Sequence, residues 1–162
     1  MISESGGQLV LDDATGNVWV TNLVQFTNES YNEQLAAISA LSFTGYTGFH
    51  IASVSDVLGL FNYGSADIFA LSFTPIPNTN ILDGRTSDHY YAYLDQPPVH
   101  KVVYCFSGGS PEVYLNNDPS ADNANSIDGA WVVGMQVPEP TTMLLLGLGL
   151  MGLATMRKKF KN

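Results

Sequence analysis

The chain has 162 residues, room for one domain with a substantial core. Hydrophobic residues make up 45% of it and charged ones 13%, about half the charged share of an ordinary soluble domain. Residues 1–140 hold all fifteen carboxylates against only Arg85 and Lys101, a formal charge of −13 within a total of −9. A body so poor in cations is ill suited to neutralise a phosphate backbone, which argues against nucleic acid as a partner. One cysteine, Cys105, excludes an internal disulfide framework. Eighteen aromatic residues argue against disorder.

In chain order, Leu9–Leu11, a polar Asp12–Gly16 turn and Asn17–Thr21 predict a β-hairpin, with Trp19 in the core. A helix follows: Ser30 and Glu33 form an S-x-x-E capping box, and Tyr31, Leu35, Ile38 and Leu41 recur at helical spacing to an end near Ser42. Gly45–Gly48 predicts a turn, and Phe49–Ile51 leads to Ser53 as N-cap of a second helix. On that helix Val54, Val57, Leu58 and Phe61 share a face, and Asp56 lies in the first turn. Across 62–98, Pro75, Pro77, Asn78, Asn80, Gly84, Pro97 and Pro98 mark loops, with Ile68–Phe73 and Tyr90–Leu94 as short strands or a helical turn. Lys101–Phe106 gives the clearest strand, and Glu112–Leu115 and Ala130–Val133 complete a sheet. The fold class expected for residues 1–136 is α+β, with two helices in the N-terminal half and a mainly antiparallel sheet.

The order Asp12-x-x-Thr15-Gly16-x-x-Trp19, an amphipathic helix, Gly45-Tyr46-x-x-Phe49 into an N-cap, and Ala130-Trp131-Val132-Val133 resembles the Lcl C-terminal type domain, most clearly over 8–62. That family's Trp-Arg-Leu-Pro-Thr is Phe49–Ser53 here. The resemblance implies a fold related to C-type lectins, found often in exported bacterial proteins. No glycan-binding motif in the chain carries that activity over.

No catalytic residue stands out. His50, His89 and His100 are separated in sequence, and His100 and Cys105, five apart on one strand, face opposite sides. Cys105 lies among Val102, Val103, Tyr104 and Phe106, the setting of a buried inert thiol. Fifteen carboxylates allow many pairs, yet none is singled out as a hydrolase dyad. The loop from Asn116 to Asp128 is rich in oxygen ligands of the kind calcium takes, but lacks the D-x-D-x-D-G spacing. A plain polar loop and no cofactor are expected.

The C-terminal end is different in kind. Seventeen uncharged residues run from Pro140 to Met156, roughly 25 Å as a helix. Arg157, Lys158 and Lys159 then follow, cations that stay cytoplasmic while the acidic body lies across the membrane. A single membrane-spanning helix is expected over 141–156. Gly147-x-Gly149-x-x-Gly152 inside it matches a dinucleotide fingerprint in letters only, since no acidic residue follows. Immediately before the run stand Pro138, Glu139 and Pro140.

This triplet, uncharged helix and basic cluster resemble the PEP-CTERM sorting signal, over about Val137–Lys161. The resemblance implies export, a single-pass intermediate in the inner membrane, and cutting near the triplet by an exosortase. It also implies release to the cell surface or an exopolysaccharide matrix, as in biofilm-forming bacteria. Pro138, Glu139, Pro140, Arg157, Lys158 and Lys159 would then be substrate positions for another enzyme. Met1–Gly7 has neither a basic nor an apolar leader segment, so the true start is expected upstream. The function expected is that of a non-enzymatic exported surface or matrix protein. The alternatives are a glycan-binding module of C-type-lectin-like fold and a secreted hydrolase with a carboxylate dyad.

Overall fold

The alternation that predicts the first hairpin is realised in the computed structural model, which describes residues 1–63, 68, 73–77, 79, 81–90, 99–106, 109–114, 128–137, 146 and 148. Leu9–Leu11 (β2) pairs antiparallel with Asn17–Val20 (β3), and Ile2–Glu4 (β1) adds on the outside of β2. The turn closes because the Asp12 carboxylate accepts from the Ala14 N–H (3.0 Å) and the Thr15 hydroxyl (2.7 Å). Gly16 then supplies the φ of +75° that a β-carbon would oppose.

Both helices begin where the capping residues place them. Ser30 and Glu33 complete a reciprocal box at the start of α1 (Tyr31–Ser39), and that bond holds the exposed Glu33 carboxyl below its ordinary pKa. Ser53 and Asp56 do the same for α2 (Val54–Leu60). The buried faces differ from the expected ones. On α1 it is Gln34 and Ile38 that turn inward, while Leu35 stays 41% exposed. The cause is the Gln34 amide, which donates to the carbonyls of Phe26 (2.8 Å), Asp128 (3.2 Å) and Gly129 (3.3 Å) and fixes the helix's rotation. On α2, Val57, Leu60 and Phe61 form the inner face and Leu58 points outward.

Two sheets account for the remainder. Tyr46–Ile51 (β4) is a strand where a Gly45–Gly48 turn was expected. The turn is confined to the Phe43–Tyr46 bridge, and Gly48 (φ +70°) sits at an irregularity in the pairing of β4. The first sheet has the order β1-β2-β3-β9-β4, with Val132–Gln136 (β9) between β3 and β4, all antiparallel. The second has the order β7-β6-β5-β8: Ile81–Tyr90 (β5), Val99–Phe106 (β6), Glu112–Tyr114 (β7) and Gly129–Ala130 (β8), the last parallel to β5. Strand β5 overturns the reading of Gly84 as a loop marker. A β-carbon on Gly84 would come within 2.9 Å of the Trp131 indole, so this close packing demands glycine inside the strand.

Trp131 is the single residue between β8 and β9, where the chain leaves one sheet for the other. Around it lies the larger core, with Val10, Trp19, Val57, Leu60, Leu82, Val103 and Cys105. A smaller core under α1 holds Leu9, Val18, Ile38, Ile51 and Val132 on the opposite face of the first sheet. The α+β expectation of two helices with largely antiparallel strands is met, but the strands form two sheets where one was expected, and the strand expected at Ala130–Val133 is divided between them at Trp131. Among the described residues no helix is long and apolar enough to cross a membrane. The span expected at 141–156 lies outside the described residues, apart from Leu146 and Leu148, both helical.

Candidate functional site

Register decides what the second sheet presents. Directly opposed residues of antiparallel strands share a face. On β6, Val103 and Cys105 point into the core, so His100, Val102, Tyr104 and Phe106 point the other way. Opposite Phe106 stands Ile81, opposite Tyr104 stand Asp83 and Glu112, and opposite Val102 stand Arg85 and Tyr114. One half of this face is covered: Arg85 is fully buried and donates to the Glu29 carbonyl (2.9 Å), and Tyr31 stacks on His100 with ring centroids 3.3 Å apart. The other half is open. Phe106 is 51% and Tyr114 50% exposed, and Tyr104 meets Phe106 edge to face at 5.8 Å. The Tyr104 hydroxyl donates to Glu112 at 2.6 Å, which raises the phenol's pKa.

Asp83 is the most strongly perturbed acid described. Burial, and then repulsion from the Asp128 carboxylate that hydrogen-bonds it, push its pKa to about 7, against a smaller opposing pull from Arg85. The folded chain therefore holds a proton at this pair between about pH 4 and 7 that the unfolded chain releases. Stability from this source is present below the unfolded value and is lost as pH rises through about 7. Asp83→Asn, which keeps the neutral hydrogen-bonding form at every pH, is expected to raise stability at pH 8 by about 1–3 kcal/mol. It should leave stability at pH 4 little changed, as urea titrations at the two pH values will read.

The other sequence candidates are placed as follows. His89 and His100, distant in sequence, are direct cross-strand partners with ring centroids 5.9 Å apart, so the expected separation does not hold in space. His50 Nδ1 lies 2.8 Å from the Gly48 carbonyl. Cys105 is buried on the side of β6 away from His100, burial pushes its thiol pKa up, and it donates weakly to the carbonyls of Phe106 and Gly109. Among the described residues no three His, Cys, Asp or Glu side chains are grouped to hold a metal. Of the oxygen-rich 116–128 loop only Asp128 is described. A cavity of about 250 Å³ opens beside the first hairpin, lined by Gly7, Gln8, Thr21, Asn22, Gln25 and Phe43 among others, and neither Asp83 nor Asp128 borders it. The Asp83–Asp128 pair and the aromatic face were not singled out in the sequence, because both depend on pairings between strands far apart in the chain.

The C-terminal signal begins at the end of the last described strand. Gln136, the last residue of β9, pairs with Tyr46, and the Val137 N–H donates to the Gly45 carbonyl at 2.8 Å. Pro138, Glu139, Pro140, Arg157, Lys158 and Lys159 lie outside the described residues. The signal thus follows a strand paired on both sides, with only Val137 between β9 and Pro138.

No curated protein and no solved structure matches the chain. A family model does match its end: residues 136–159 fit the PEP-CTERM protein-sorting motif. The match starts on the last residue of β9, so folded body and signal adjoin. The chain therefore carries a PEP-CTERM protein-sorting motif, a signal that implies processing by an exosortase and export across the membrane to the cell surface or extracellular space.

Proposed function

We propose that the body ending at Val137 is a non-enzymatic surface or matrix protein, and that the rest of the chain is a removable anchor. The observation that carries this reading is the position of the boundary: every described strand of both sheets is complete before Pro138. In this account residues 141–156 cross the inner membrane once during sorting. Arg157, Lys158 and Lys159 stay on the cytoplasmic side, and an exosortase cuts near Pro138–Pro140. The mature product then associates with extracellular polysaccharide.

The hydrolase alternative would use Asp83 and Asp128, the carboxylate pair that the structure brings together. Asp83 Oδ1 is shut off from solvent without a hydrogen-bond partner, whereas a general acid must touch the group it protonates. That favours a proton shared for structural reasons. In an exosortase-bearing host, wild-type chain supplied with an export leader is expected outside the inner membrane. A variant with Pro138, Glu139 and Pro140 all changed to Ala should stay in the membrane fraction. Equal distribution of the two would refute the reading.

A further inference from the structure

Large aromatic side chains half open to water on one sheet face mark a place where something binds. Here Tyr104, Phe106 and Tyr114 share the open half of the second sheet's outer face, on adjacent strands β6 and β7. Glu112 and Asp83 lie in the same row as Tyr104, one on each side of it, with Asp128 against Asp83. Among the described residues no lysine or arginine is exposed on the open half of this face. The body has only two, of which Arg85 is fully buried and Lys101 lies on the core-facing side of β6 with Val103 and Cys105. The open half of the face is thus aromatic, with the exposed Glu112 carboxylate as its accessible charge, on a body (residues 1–137) holding fourteen carboxylates against two basic side chains.

Each of these properties narrows the occupant. The face of an aromatic ring is electron-rich, and attracts the slightly positive C–H groups that a pyranose ring presents on its flat side. Carboxylates beside the rings accept hydrogen bonds from hydroxyls and, more strongly, from ammonium groups. An anionic polymer would be repelled, and a neutral one would gain nothing from the acidic field. We infer that the open face of the second sheet, Tyr104, Phe106 and Tyr114 with Glu112, is a binding platform for an amine-bearing polysaccharide, whose sugar rings stack on the aromatic side chains and whose protonated amines meet the carboxylates. This rests on the reading of the body as an extracellular binding protein, and it names the surface and the class of glycan.

The test is calorimetric titration of the full chain in neutral detergent micelles with a glucosamine hexamer, an N-acetylglucosamine hexamer, cellohexaose and hexalysine. The platform requires binding of the glucosamine hexamer in preference to all three others, weakening as salt is raised. Tyr114→Ala and Phe106→Ala should each weaken it roughly tenfold, the scale of losing one stacking ring from such a surface. Glu112→Gln should weaken it several-fold and flatten the salt dependence. Both aromatic side chains are half exposed, so thermal melts of the variants should match wild type. Equal binding of the N-acetylated or neutral hexamer would overturn the charge argument, and equal binding of hexalysine would overturn the stacking argument. No binding, or binding indifferent to Tyr114→Ala, would overturn the platform altogether. None of these outcomes bears on sorting, because Tyr114→Ala leaves the C-terminal signal intact and its processing is read separately by mass.

Discussion

Trp131→Ala is expected to cost about 3–5 kcal/mol, a large share of the roughly 5–15 kcal/mol that holds a domain folded. The residue is fully buried at the step between the two sheets, in contact with Phe61 (5.7 Å, nearly perpendicular) and Phe73 (6.0 Å). Its indole N–H donates to the Val103 carbonyl on β6 (2.9 Å), and its backbone joins β5 through the Arg85 carbonyl (3.1 Å). A further bond runs from the Ala52 N–H to the Trp131 carbonyl at 2.8 Å, next to β4. Removing the side chain empties the centre of the larger core and leaves the Val103 carbonyl without that donor. Trp131→Phe keeps most of the volume and should cost about 1–2 kcal/mol, chiefly through the lost hydrogen bond. Leu58→Ala, on the exposed side of α2, should change stability by less than about 0.5 kcal/mol. Urea denaturation followed by circular dichroism ranks the three, and an equal effect of Trp131→Ala and Leu58→Ala would contradict the core described here.

The second large effect concerns the end of the body. A chain stopped after Val137 should melt like the full chain, because the described pairings of the two sheets all lie before that point. A chain stopped after Trp131 should show no cooperative transition. It lacks β9, which fills the place between β3 and β4 and buries Val132 and Val133. Without it two strand edges open and both cores lose a wall. Thermal scans of the two truncations give the answer directly, and a cooperative melt from the shorter chain would show that the first sheet closes without its central strand.

Local chemistry was readable from the sequence wherever partners are close in the chain. The Asp12–Gly16 turn, the Ser30–Glu33 box and Ser53 as N-cap each depend on atoms within five residues, and each is found. The burial of Trp19 and Cys105 also follows from their apolar neighbours. The rest needed distant partners. Gly84 looks like a loop residue until the Trp131 indole is laid over it. Leu35 looks like a core residue until Gln34 is tied to Phe26, Asp128 and Gly129. The alternation of β6 is visible in the sequence, but which of its faces meets water depends on where β5, β7 and the start of α1 lie. For the same reason Asp83 and Asp128, forty-five positions apart, could not be picked from fifteen carboxylates. The C-terminal signal was the most legible feature, since it is read as a linear segment.

The central claim is that this is a folded body delivered by a detachable signal, with the boundary just after β9. The most direct measurement is the intact mass of the protein recovered from outside the inner membrane of an exosortase-bearing host, expressed behind an export leader. The account predicts a mass lacking everything beyond about Pro138–Pro140, on a product that retains the body through Val137. A mass that still includes Arg157, Lys158 and Lys159, on protein confined to the membrane fraction, would contradict it.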